Sequence, residues 1–324
     1  MAESKTLVIK LGGQCNFNCK HCHSKKTNFK WNDDIIDYID KGDFINIIFS
    51  GGEPLIYFKY IKKIVNKFKD RFKYKMVSNG SLLTTPIKDF INKHSIHLAI
   101  SYDGENNDSR DNSFIPWRLF SLINSKGLAT LYSTSNEDFD KLANDIDKLI
   151  KFYNLDINKS GIFWFNFPHQ TKINPNSEIT KELAKKYCIL IGRFLELNFL
   201  YNTINDSVLS IIFNKYIRKK NIKGVRCFSE NKISLAINGD FLLCPYDDEC
   251  IVGNIYTGID WDKVESYIPP HCKECEIWQS CMNSCIMNIT DNECYISKVI
   301  YKHFYKLMYK YGFNYEYLEK HIKE

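Results

Sequence analysis

The first half of the chain alternates between short apolar runs and longer stretches with apolar residues every third or fourth position. Residues 5–11 predict a first strand, and Asn32-Asp33-Asp34 caps a short helix to about residue 41. Residues 44–50 form an apolar run fit for a strand covered on both faces. A helix over 56–70 follows, with Ile61, Ile64, Val65 and Phe68 at helical spacing. Strand 73–78, helix 85–94 with Pro86 in its first turn, strand 96–101 and helix 115–126 continue the series. Residues 128–133 predict a fifth strand, 137–153 a helix capped by Ser135 or Asn136, and 162–167 a sixth strand. Six such alternations with short connections imply parallel βαβ units, with functional residues at the C-terminal ends of the strands.

The pattern then changes. A polar loop with Pro175 leads into long helices over about 177–200 and on to 219. Residues 219–224 break the periodicity, which predicts a division into 1–220 and 221–324. Beyond it, Ile233–Ile237 and Phe241–Leu243 flank Asn238-Gly239 as a hairpin flanks its turn. The stretch 293–322 is helical, with Tyr295, Ile300, Phe304, Met308, Phe313 and Tyr317 as a packing stripe. There is no internal repeat, low-complexity tract or heptad array.

Candidate chemistry starts just after the first strand, at Cys15-Asn16-Phe17-Asn18-Cys19-Lys20-His21-Cys22. That spacing cannot lie on one face of a strand, so it wraps as a loop at the strand's C-terminal end. Three thiolates suit a four-iron cluster whose remaining iron stays open, since four would close it. Zinc is an alternative, with His21 or His23 as a fourth ligand. A structural loop of free thiols is another.

Together with the segments downstream of it, this motif resembles the radical S-adenosylmethionine (SAM) enzymes, with C-x3-C-x2-C after the first strand of a partial barrel. Gly51-Gly52-Glu53-Pro54 resembles the family's GGEP segment at the second strand, which binds the methionyl amino group of SAM. Ser78 and Asn79 end the third strand, and Ser101 and Asp103 the fourth. Both resemble family positions near the ribose and carboxylate of SAM. The resemblance adds Arg110 near that carboxylate, with surface Arg as the other reading, and Ser133 and Asn166 at the ends of strands five and six. Tyr102 and Trp164 read as packing. His169, after the sixth strand, is a tentative catalytic group facing the cavity.

A second cysteine field holds Cys227, Cys244, Cys250, Cys272, Cys275, Cys281, Cys285 and Cys294. The hairpin returns Cys244 beside Cys227. Four sulfurs between 272 and 285 lie in a segment rich in turn-formers, which no hydrophobic core explains, so metal is expected to order it. A zinc ribbon is the rival reading. The spacing, Gly239 included, resembles the SPASM domain appended to many radical SAM enzymes. Carried over, Cys272, Cys275, Cys281 and Cys294 hold an outer auxiliary cluster, and Cys227, Cys244 and Cys285 an inner one. Cys250 is favoured as the inner cluster's fourth ligand, the alternative being a site open to substrate. Cys188, among Leu and Ile, reads as a buried small apolar residue.

The fold class expected is therefore α/β, a partial (β/α)6 radical SAM barrel followed by a small cysteine-rich SPASM domain and a C-terminal helix. The cofactors implied are SAM and three 4Fe–4S clusters, one SAM-binding and two auxiliary. The resemblance implies reductive cleavage of SAM to methionine and a 5′-deoxyadenosyl radical, which abstracts hydrogen from a substrate carbon. The expected substrate is a residue of a ribosomally synthesised precursor peptide, in which a crosslink or oxidation is installed. An electron donor such as flavodoxin or ferredoxin is a further partner. The first strand begins by residue 6, which leaves no room for a leader-binding domain, so a separate leader-binding protein or the barrel itself presents the peptide. Maturation of a folded protein such as a sulfatase is an alternative. It is disfavoured because Pro245 stands where sulfatase maturases have a catalytic Asp, with Asp247 as a tentative base or simply part of a solvated acidic turn. Cys281-Met282-Asn283-Ser284-Cys285 also lacks the glycines common in relatives. A zinc-ribbon scaffold without SAM chemistry is the rival of another class.

Composition narrows these readings. A chain of 324 residues, 44% hydrophobic and 25% charged, has globular values and a real core. Its formal charge of +6 is spread over Lys-rich helix faces, which is not a nucleic-acid footprint. Each four-thiolate cluster would also add roughly two negative charges. Residues 1–5 lack a signal-peptide core and no run is long enough to span a bilayer, so twelve cysteines predict a cytoplasmic metalloprotein with no membrane partner. Oxygen sensitivity of such clusters predicts an anaerobic or microaerobic setting.

Overall fold

The computed structural model describes residues 5–19, 22, 27–104, 114–131, 145, 148–149, 151–153, 163–166, 223–225 and 227–278, with helical positions at 294, 298, 301–302, 306 and 309–310. Contacts divide the chain into two units, Met1–Pro168 with Ile222–Glu265, and His169–Asn221 with Ser266–Glu324. The division at 220 is one of sequence pattern. The contacts group the hairpin segment with the barrel strands.

In the first unit, β1 (Thr6–Lys10), β2 (Asn46–Ser50), β3 (Lys73–Ser78), β4 (His97–Ser101), β5 (Lys126–Leu131) and β6 (Phe163–Asn166) lie side by side in chain order. Every neighbouring pair is parallel. This is the open sheet of a partial barrel. Helices α1 (Asp34–Lys41), α2 (Phe58–Phe68), α3 (Thr85–Lys93) and α4 (Trp117–Ser121) fall between the strands.

The two faces of the sheet differ. Leu7, Ile9, Ile47, Phe49, Tyr74, Met76, Leu98 and Ile100 alternate along four strands and are all 2% exposed or less. Ile35 and Ile39 of α1 and Ile61, Ile64 and Val65 of α2 form the apolar layer that such crossovers lay over a sheet. The intervening residues of β2 and β3 are less covered: Asn46, Ile48, Ser50 and Val77 are half-buried and Lys75 is exposed. The expected strand covered on both faces is thus fully covered on one. The other is less covered along β2 and β3, where Asn46, Ser50 and Lys75 keep access to water.

Helix α4 is shorter than the predicted 115–126. The Lys126 ammonium caps it, donating to the carbonyls of Ser121 and Ile123 at 3.0 and 2.9 Å. Asn92 then holds Leu122 O and Asn124 N in a turn, which frees the chain to enter β5 early.

The predicted hairpin is present as β9 (Lys232–Ala236) and β10 (Asp240–Cys244), after the short β7 (Gly224–Val225) and β8 (Phe228–Ser229). Gly239 takes φ +100° at its turn, a conformation glycine enters without a Cβ clash. β10 pairs antiparallel with β11 (Asp247–Asn254), which pairs with β12 (Gly258–Ile259). β9 also pairs in parallel with β1, Thr6 opposite Lys232 and Lys10 opposite Ala236. The second cysteine field thus begins on an extension of the barrel's own sheet. Helix α5 (Trp261–Ser266) follows.

In the second unit, α6 (Pro270–Lys273) is a single helical turn carrying Cys272. The described positions from 294 to 310 are helical, as predicted for 293–322, while the residues of the predicted packing stripe, the helices over 177–219 and Cys188 lie outside the described residues. Among the described residues no helix is long and apolar enough to cross a membrane.

Candidate active site at the strand ends

The loops after β1 and β2 are fused through their backbones. Leu11 N donates to Ser50 O at 2.9 Å, Gly52 N to Gly12 O at 3.0 Å and Glu53 N to Gln14 O at 2.8 Å. Such closeness needs residues without side chains. A Cβ on Gly52 would stand 2.3 Å from Gln14 O and 2.4 Å from Gly13 O, backbone atoms that cannot give way. The Tyr57 ring fills the space beside Gly12, and its hydroxyl accepts from Gln14 N at 2.9 Å. The cysteine loop is thereby held from behind before any metal arrives.

Glu53 ties in the third strand. It is 1% exposed; Oε1 accepts from Leu55 N at 2.9 Å and Ser78 Oγ at 2.7 Å, and Oε2 accepts from Asn79 N at 2.7 Å. A buried carboxylate is tolerable only with such donors. Pro54 opens the 3-10 turn Pro54–Tyr57 directly behind it. Asn79 bridges onward: its Nδ2 donates to Asn16 Oδ1 at 3.0 Å and lies 3.8 Å from Cys15 Sγ. Phe17 N points at the same sulfur at 3.4 Å. Burial, more than the nearby Glu53 and Cys22, pushes the Cys15 thiol up, and these two donors oppose it. Cys22 N donates to Cys19 O at 3.0 Å, curling the far end of the loop. Cys15 and Cys19 are half-buried and Cys22 is exposed.

At the other strand ends, Ser101 closes β4, Asp103 is 1% exposed and Gly104 has φ +106°. Tyr102 is core, edge-on to Trp117 at 5.4 Å, as read from the sequence. Asn166 closes β6. Arg110, Ser133, His169, Cys281 and Cys285 lie outside the described residues.

The second cysteine field meets this site through the turn between β10 and β11. Tyr246 is 41% exposed, and its hydroxyl bonds Ser50. Its pKa is pushed up to about 12, by burial first and then by the thiols of Cys244, Cys227 and Cys22. One tyrosine thus has neighbours in both cysteine groups. Asp247 is 5% exposed, and its Oδ1 accepts from Glu249 N at 3.2 Å in a local turn. Cys250 is buried.

The neighbouring Asp248 carries a feature the sequence reading passed over. It forms an ion pair with Lys10, which is 0% exposed at the end of β1. The signal was present, because a lone lysine inside Leu7-Val8-Ile9-Lys10-Leu11 demands a counter-charge if the strand is buried.

All nine described cysteines are thiols rather than disulfides. Among the described residues no three Cys, His, Asp or Glu side chains converge on one point. The donor set still fits an iron–sulfur group: three soft thiols share one loop, over a glycine cradle that lets backbone approach closely. In the second unit Cys275 N donates to Cys272 O at 3.2 Å, folding that pair into one turn.

An open parallel sheet with its glycine and cysteine loops at one end is the frame of a radical SAM enzyme. Residues 9–116 match the Radical SAM superfamily, and this segment carries a radical SAM enzyme domain. That family implies SAM binding and one iron–sulfur cluster. The radical SAM cyclopropyl synthase TigE of Paramaledivibacter caminithermalis is 26% identical over 205 residues, which cover 50% of this chain and 43% of TigE. Among solved structures, anSMEcpe with bound AdoMet and Cp18Cys peptide matches with TM-score 0.67 and 15% identity, over 94% of this chain and 98% of that one. SuiB of Streptococcus suis, bound to precursor peptide SuiA, matches with TM-score 0.56 and 15% identity, over 88% of this chain and 72% of SuiB. At such identities these likenesses establish the fold.

Proposed function

We propose that this chain is a radical SAM/SPASM maturase that abstracts hydrogen from a residue of a ribosomally made peptide and installs a crosslink or oxidation. Cys15, Cys19 and Cys22 would hold the SAM-binding cluster. Gly51–Pro54, Ser78, Asn79, Ser101 and Asp103 would line the SAM site. Once bound there, the cluster and SAM would supply the radical chemistry of hydrogen abstraction. The chain's residues do the rest. Glu53 fixes the relation of the second and third strand ends, Asn79 orients the Cys15 side of the loop, and the fused glycine loops hold the site at one geometry. Positioning of this kind supplies much of a rate enhancement.

The observation that carries the reading is that β9 and β10, which lead to Cys244, extend the sheet that bears the first cysteine loop, with Tyr246 neighbouring thiols of both groups. That arrangement suits a second, cysteine-held group beside the radical site, with Cys227, Cys244 and Cys250 as its ligands. Cys272, Cys275, Cys281, Cys285 and Cys294 would complete the auxiliary clusters within a module spanning 221–324. Peptide as substrate draws support from the two solved relatives, each bound to a peptide.

The test is anaerobic turnover of the reconstituted protein with SAM, a strong reductant and candidate precursor peptides. The account expects 5′-deoxyadenosine and a peptide product lighter by two hydrogens per crosslink. SAM cleavage with every peptide returned at its original mass would contradict the maturase reading.

A further inference from the structure

The Lys10–Asp248 pair has a partner on one side only. Asp248 Oδ1 meets the Lys10 ammonium, while Oδ2 is buried with no hydrogen-bond partner among the described residues. The Asp248 side chain is 6% exposed and that of Lys10 0%. A buried carboxylate oxygen that accepts nothing forfeits its hydration, at a greater cost than a neutral group would bear. Native structures keep few such atoms, and each calls for an explanation.

Position narrows the explanation. Lys10 is the last residue of β1, in register with Ser50 of β2 and Ala236 of β9. Ser50 precedes the Gly51–Pro54 loop and bonds Tyr246, two residues before Asp248. The open oxygen thus belongs to a pair at the end of the sheet where the first cysteine loop leaves and the Cys244–Cys250 segment arrives. Charge narrows it further. Lys10 already balances the carboxylate, and the Phe29 ring, 5.6 Å from the ammonium, adds no charge. A second cation would leave a net positive charge in a buried place, whereas a neutral N–H donor would satisfy Oδ2 at no charge cost.

We propose that Asp248 Oδ2 accepts a hydrogen bond from an amide N–H of the bound peptide substrate, with Lys10 as the positioning residue that fixes the carboxylate. The assignment rests on the peptide-modifying reading above and adds to it a residue that orients the substrate backbone. A pair serving only to tie β11 to β1 would need no open acceptor, which gives the two roles different signatures.

The experiment uses the anaerobic holoenzyme and a panel of N-acetylated, C-amidated hexapeptides tiled over candidate precursor sequences. The best peptide modified by the wild type is then carried to two variants. In Lys10→Met/Asp248→Leu the ion pair becomes apolar side chains, a change that buried pairs often survive. Asp248→Asn places an amide donor where an acceptor is needed. Each variant is first matched to the wild type in iron content and assayed well below its own unfolding midpoint. We expect KM for the peptide to rise about tenfold or more in both, the size of one lost hydrogen bond of about 1.4 kcal/mol. KM for SAM should stay within twofold. Unchanged peptide KM in an iron-loaded double variant would overturn the assignment and leave the maturase reading standing. Failure of the wild type to modify any peptide would overturn both. Equal rises in both KM values would mark a structural tie and overturn the assignment.

Discussion

The two cysteine regions of the first unit are built on opposite plans. Cys15, Cys19 and Cys22 ride on a loop, half-buried to exposed, with order supplied from behind by glycine backbones and a buried glutamate. Cys244 and Cys250 are buried, one at the end of β10 and the other inside β11. A group that must admit a cofactor needs an open loop over a rigid floor. A group that serves from the side can be carried on strands. The difference teaches that order at the first site comes from close glycine backbones and one buried carboxylate, and at the second from sheet pairing.

The largest break of this comparison is Gly52→Ala. A methyl group driven into Gln14 O and Gly13 O must separate the first two loops. SAM cleavage, read as 5′-deoxyadenosine, should be abolished, while the β9–β11 segment keeps its fold by circular dichroism and proteolysis. Next comes Lys10→Met alone, which leaves Asp248 buried without its counter-charge and should cost about 3–5 kcal/mol in anaerobic denaturant unfolding. The double replacement with Asp248→Leu should recover most of that loss, because it removes both charges.

Glu53→Gln sharpens the first plan further. An amide nitrogen at one carboxylate position faces Leu55 N or Asn79 N, donor against donor. A mismatch of about 1–3 kcal/mol should raise KM for SAM roughly 5- to 150-fold. The smallest effect lies at the strand's other end, remote from both regions. His97 has its pKa lowered to about 4 by burial first and then by Lys75. Its folded-state pKa lies below the ordinary 6.5, so the neutral ring's contribution is full above pH 6.5 and declines as pH falls toward 4. His97→Gln should flatten the stability profile between pH 6.5 and 5 and leave peptide KM unchanged.

Most of the fold's order was legible locally. Strands β1 to β4 and the hairpin announce themselves by apolar runs, and Gly51, Gly52 and Glu53 by their place after one. The parallel pairing of β9 with β1 was not legible, because residues 6–10 and 232–236 share no local pattern and meet only through topology. The same distance hid Lys10–Asp248. Within Tyr246-Asp247-Asp248 the sequence singled out Asp247, which makes a local turn contact, while the adjacent carboxylate reaches the buried lysine. Alternation along β11 puts neighbours on opposite faces, and only the register decides which faces the sheet. The helix over 115–126 was overread because its capping by Lys126 and Asn92 depends on side chains that have no periodicity.

The measurement that tests the central claim most directly is iron, acid-labile sulfide and zinc per chain on protein purified without oxygen. Three clusters predict roughly twelve irons with matching sulfide and almost no zinc. Roughly eight would keep the radical SAM site and remove one auxiliary cluster. About four irons with one zinc or more would contradict the SPASM reading of the second cysteine field.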